Sequence, residues 1–181
     1  QGIVLRPTEK IQLAPASGLL NKTDEAIVSA GDKLITIHEI NGRHHNDKPQ
    51  AHQFGLDLTL QSKHDFPPIE FRITDSTSMD AQGRFWIMSY QWSGDVSLTI
   101  GEDPVFQKFG TGASHANSKG TERLVELELG TKGITLTDTP PLLFELGPKS
   151  RNWEGLVRLD ERGFLVVTDQ HPGTILGFVA H

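Results

Sequence analysis

One pattern is written three times along this chain: Asp24-Glu25-Ala26-Ile27-Val28-Ser29-Ala30-Gly31-Asp32-Lys33-Leu34-Ile35-Thr36-Ile37, Asp75-Ser76-Thr77-Ser78-Met79-Asp80-Ala81-Gln82-Gly83-Arg84-Phe85-Trp86-Ile87-Met88, and Glu154-Gly155-Leu156-Val157-Arg158-Leu159-Asp160-Glu161-Arg162-Gly163-Phe164-Leu165-Val166-Val167. Each copy reads carboxylate, short strand, glycine turn at Gly31, Gly83 or Gly163, then a strongly apolar strand. A unit repeated at such intervals cannot bury its apolar face alone and stacks on its copies. The pattern therefore predicts an all-β protein of propeller type, with four-stranded antiparallel blades standing around an axis and the first strand of each blade innermost. On this reading Glu25, Asp75 and Glu154 fill one structural position three times.

The remaining strand signals are β-branched or aromatic runs broken by Gly, Pro, Asn and Asp, and no window holds a helical apolar period for long. They sort into about three and a half blades of a six-bladed ring: a remnant at 1–20, blades at 21–74 and 75–148, and an incomplete blade at 149–181. The remnant draws on strands at Ile3–Leu5 and Lys10–Ala14. In the first full blade, His52–Leu60 and Ile69–Thr74 are the outer strands, and Ser76–Met79 opens the next blade. Open sheet edges recruit other chains, so a second chain, or a second copy donating Lys10–Ala14, is expected to complete the ring.

With no cysteine among 181 residues, no disulfide stabilises the fold. The formal charge of −6, without a run of Lys or Arg, argues against nucleic acid as a partner. No apolar stretch approaches the roughly 20 residues of a membrane span.

Loops joining second to third strands share one propeller face with the starts of the innermost strands. Glu25, Asp75 and Glu154 should converge there, at the mouth of the central channel, where mutual repulsion invites a divalent cation or raised pKa values. The competing reading has each carboxylate accepting backbone N–H bonds at a turn. The same face would carry the loop Ile40–Ala51 and the far longer Gln91–Thr121, well beyond the about 12–15 residues above which loops are functional or disordered. His45, in a cluster with His38, His44, His52, Glu39 and Asp47, and His115 in the long loop are the candidate general bases. Tyr90 and Trp92 offer stacking surface. Arg151 and Asn152 offer a clamp for a polar ligand, while Phe85, Trp86, Phe144, Phe164 and Phe178 read as core between blades.

The segments Asn152-Trp153-Glu154-Gly155-Leu156-Val157-Arg158-Leu159-Asp160-Glu161-Arg162-Gly163-Phe164-Leu165-Val166-Val167-Thr168-Asp169 and Thr74–Trp86 resemble blades of the phytase-like esterase propellers, of their extracytoplasmic relatives and of the calcium-dependent lactonases. The resemblance covers about half the chain and matches the C-terminal half of such a ring. It implies export to the periplasm or exterior, a divalent cation, calcium by preference, and ester or phosphoester hydrolysis. Two functions follow as expectations. One is a small polar ligand bound at the channel mouth, with metal-assisted hydrolysis if Glu25, Asp75 and Glu154 hold the cation. The other is a non-catalytic scaffold whose loop face binds a protein or glycan through Tyr90 and Trp92.

Overall fold

The computed structural model describes residues 10–13, 18–99 and 101–181. Among them, twelve strands form three antiparallel sheets in chain order. The first sheet runs β1 (Asp24–Ala30), β2 (Lys33–His38), β3 (Gln50–Gly55), β4 (Leu60–Asp65). The middle sheet runs β5 (Arg72–Ser76), β6 (Arg84–Gln91), β7 (Thr121–Gly130), β8 (Gly133–Leu136), with the short β9 (Leu142–Leu143) beside the start of β7. The third holds β10 (Trp153–Arg158), β11 (Gly163–Thr168) and β12 (Leu176–Ala180).

β6 explains how the sheets stack. Its sequence Arg84-Phe-Trp-Ile-Met-Ser-Tyr-Gln91 is buried on both faces, because the strand lies centrally in the middle sheet with a neighbour sheet on either side. Side chains alternate across a strand, so Phe85 and Ile87 enter one core with Ala26, Val28, Ile35 and Ile37 of the first sheet. Trp86, Met88 and Tyr90 enter a second core with Trp153, Leu156, Phe164 and Val166 of the third. The first strands of the sheets lie side by side, β1 against β5 and β5 against β10.

Several sequence expectations shift. The fourth strand of the first sheet is not Ile69–Thr74 but β4, whose Leu-Gln-Ser-Lys-His-Asp sequence carries no apolar signal because the strand is outermost and mostly solvated. The chain reaches it by a turn at Gly55–Thr59 that splits the single strand expected over His52–Leu60. The middle sheet accordingly begins at Arg72, before the expected boundary at residue 75. Of the strand expected over Ser76–Met79, only Ser76 is in a ladder, as the last residue of β5, while Thr77, Ser78 and Met79 follow it outside the strand.

The strand expected at Lys10–Ala14 is absent over residues 10–13, where Lys10, Ile11 and Leu13 instead border an apolar cavity of about 280 Å³ with Ile27, Leu34, Phe54 and Leu58. Ala14 and the expected strand at Ile3–Leu5 lie outside the described residues. Phe178, expected in the core, is 56% exposed. It stands on the outer face of the third sheet, in register with Leu165, which in turn pairs with Val157.

The long loop after β6 is ordered by a short helix, α1 (Pro104–Phe109), capped at its start by the Asp103 side chain. Pro140 and Pro141 fall between β8 and β9, on the outer border of the sheet, where no ladder N–H is needed.

Candidate functional site

The first strand of each sheet carries a bulge near its start. The register shifts at Glu25 in β1, at Thr74 in β5 and at Glu154 in β10. A bulge re-aims the extra side chain and marks the same place in each sheet. The equivalent residues are therefore Glu25, Thr74 and Glu154, and Asp75 stands one residue further along. Thr74 uses its hydroxyl to reach the third sheet, donating to the Trp153 carbonyl at 2.6 Å. Asp75 also bridges the sheets: it accepts from the Leu156 N–H at 2.6 Å and from its neighbour Ser76 N–H at 2.8 Å. Burial raises its pKa, while those two amides pull it back. Asp75 thus serves as a backbone acceptor.

Arg72, at the start of β5, organises the charges around these bulges. Its Nε donates to Glu39 Oε1, and Lys22 Nζ donates to the same oxygen at 3.0 Å. Its Nη1 reaches Asp95 Oδ2 at 3.4 Å, and the guanidinium lies 5.5 Å from the centre of the Tyr90 ring. Glu39 is fully buried, and its backbone ties the first sheet to the second: its N–H donates to Thr23 and its carbonyl accepts from Ile73.

Desolvation, then the charge of Glu39, push the Glu25 pKa up to about 7, with Glu154 adding to the rise and Arg72 and Lys22 opposing it. Glu25 keeps contact with solvent, which softens the desolvation and screens the repulsion from Glu39 alike. Glu154 is raised by burial and by Glu39, against the pull of Arg72 and of a hydrogen bond from Asn152.

Beside this cluster lies a cavity of about 370 Å³ lined by Arg72, Tyr90, Trp92, Asp95, Ser150, Asn152 and His171. Tyr90 forms its inner wall, and burial pushes the phenol up to about 12. Trp92 is 53% exposed, with its ring packed over Gly94.

The other expected site residues fall elsewhere. His115 is buried, its Nε2 accepting from the Glu122 N–H at 3.3 Å and its Nδ1 meeting Ser114 Oγ at 3.0 Å. Burial lowers its pKa. His45 packs edge-on to His44 and bonds the Ser97 carbonyl, joining two loops. Neither lines the cavity. Arg151 is engaged by buried Glu122, whose Oε2 also accepts from Trp153 Nε1 at 2.7 Å. Of the four expected ligand contacts, Tyr90, Trp92 and Asn152 line the cavity. Arg72 and Glu122 escaped the sequence reading, and Glu39 entered it only as a member of the cluster around His45, although an arginine inside the apolar run Ile69–Thr74 was a usable signal.

A hard cation takes six to eight oxygens. Asp75 is spent on amides, Glu25 and Glu154 stand beside a guanidinium, and among the described residues no group of three or more His, Asp or Glu is placed to hold a metal. Among the described residues no helix is long and apolar enough to cross a membrane.

Fold and site together define an all-β protein of three stacked antiparallel sheets with an aromatic-walled cavity lined by Arg72 of β5, Tyr90 of β6 and the loops beside the third sheet. Comparison with protein-family models and with curated proteins finds no match.

Proposed function

We propose that the three sheets are consecutive blades of a β-propeller and that the protein binds a small polar ligand in the Arg72 cavity. The observation that carries this reading is the convergence of Glu25, Glu39, Arg72 and Glu154, two of them with raised pKa values, beside a cavity walled by Tyr90 and Trp92. The perturbed carboxylates stand behind Arg72 rather than in the cavity, so it is Arg72 that links them to the site, and about 300 Å³ is room enough for a small ligand. Hydrolysis has no comparable support, since His115 and His45 do not border the cavity.

The propeller reading rests on the repeated sheets and on the apolar outer face of the third one. Val157, Leu176 and Phe178 are more than half exposed there, a face that a further sheet from another chain or a second copy would cover. Native mass spectrometry tests this arm: a particle containing a second chain or copy is expected, and a strict monomer overturns it. A thermal-shift screen of small polar metabolites tests the ligand arm. Compounds that raise the wild-type melting temperature should fail with Asn152→Ala; a screen with no stabilising compound overturns the reading.

A further inference from the structure

Two donors at the cavity make no hydrogen bond to protein groups among the described residues. Arg72 spends Nε on Glu39 and Nη1 on Asp95, and its Nη2 has no hydrogen-bond partner among the described residues. Tyr90 is 3% exposed and lines the cavity, and its hydroxyl likewise has no partner among the described residues. Donors that line an open cavity are satisfied by water until a ligand displaces it. A ligand that displaces this water must bring acceptor oxygens of its own, which a purely cationic ligand lacks.

An anion would supply acceptors, but the charges oppose it. Glu39 and Asp95 already neutralise Arg72, and Glu25 and Glu154 stand close by. A ligand with neutral acceptors meets no such penalty. The aromatic walls add a second requirement, an apolar face that stacks on a ring.

From these constraints we infer that the cavity holds a neutral sugar residue, its C–H face against Trp92 and its hydroxyl oxygens accepting from Arg72 Nη2 and the Tyr90 hydroxyl. Asp95, Asn152 and Ser150 are placed to pair the remaining hydroxyls. The inference rests on the ligand-binding reading above and names the class of ligand. Gly94 supports Trp92 as the platform: a Cβ there would stand 2.3 Å from the indole ring, so any larger residue displaces it.

The test titrates the full chain, labelled with nitrogen-15, with glucose, galactose, mannose, N-acetylglucosamine, cellobiose and lactose, and separately with inorganic phosphate and with putrescine. The expected result is that at least one sugar shifts the Trp92 indole and Asn152 amide signals. Trp92→Ala should then weaken that sugar at least tenfold, and Gly94→Ala should weaken it with the melting temperature unchanged. Shifts with phosphate or putrescine but with no sugar overturn the inference and leave the cavity a binding site. Silence with every probe overturns both readings.

Discussion

Arg123 and Asp103 form an enclosed, two-pronged ion pair, with Nη1–Oδ2 at 2.7 Å and Nη2–Oδ1 at 2.8 Å. The Arg123 guanidinium lies 4.8 Å from the Phe71 ring centre and 4.6 Å from that of Phe106, and Asp103 also caps α1 through the Phe106 N–H. One pair thus fastens the long loop to β7 and holds it near the cavity. Removing one partner strands a buried charge, at a cost of about 3–5 kcal/mol. Arg123→Ala should therefore lower the melting temperature by about 6–20 °C, at about 2–4 °C per kcal/mol for a chain of this size. Arg123→Lys should not restore it, because an ammonium cannot make the fork. Calorimetry of both variants decides: an unchanged transition for Arg123→Ala would show that the loop is held by something else.

Asp75 carries a different expectation. Its carboxylate satisfies the Leu156 N–H across the gap between sheets, so Asp75→Ala leaves a buried donor unpaired, at about 1–3 kcal/mol. Chemical denaturation should show a lower midpoint with an unchanged slope. Ligand binding at the Arg72 cavity, which Asp75 does not line, should survive under conditions where the variant is folded. A variant as stable as wild type would remove the bridging role.

The stacking order of the sheets was legible because apolar residues such as Phe85–Met88, Phe164 and Val166 are buried by neighbours that repeat the same pattern. β4 was not, since an outermost strand needs no apolar residues and Leu60–Asp65 has almost none. The one-residue offset at Asp75 was equally hidden: a bulge is a backbone irregularity, and Thr74 carries no charge to advertise it. Of the residues singled out for conspicuous chemistry near loop ends, Tyr90, Trp92 and Asn152 line the Arg72 cavity and Glu25 and Glu154 lie beside it. The sequence reading missed Arg72 and Glu39 as a pair, because their partnership joins two parts of the chain that meet only on folding.

The pH dependence of stability follows from Glu25. Its carboxyl binds a proton up to about pH 7 in the folded chain but only up to about 4.5 when unfolded. Between those values the folded state holds more protons, so stability falls as pH rises through this window. Below it both states are protonated, and above it the loss is complete. Glu25→Gln removes the titration, and since the side chain is exposed the gain is modest. Melting temperatures of wild type and Glu25→Gln should converge near about pH 4 and separate by about pH 8, with the variant higher. Parallel curves across the range would mean that Glu25 titrates alike in both states.

The repeat predicts unequal costs at equivalent turns. Gly31 and Gly163 both take positive φ values, 66° and 133°, where an L side chain is strained. At Gly31 an added Cβ meets nothing within 4 Å, whereas at Gly163 it would stand 2.0 Å from the Val179 carbonyl oxygen and 3.0 Å from the Ala180 Cα. Gly31→Ala should therefore cost only the backbone penalty, about 1–2 kcal/mol. Gly163→Ala must in addition push β12 away from β11, breaking the pairing of Gly163 with Ala180. Hydrogen exchange reads the difference locally: amides of β12 should lose protection in Gly163→Ala and keep it in Gly31→Ala. Equal protection in both variants would mean that β12 yields without losing its ladder, and that the third sheet is more compliant than its close backbone contact at Gly163 implies.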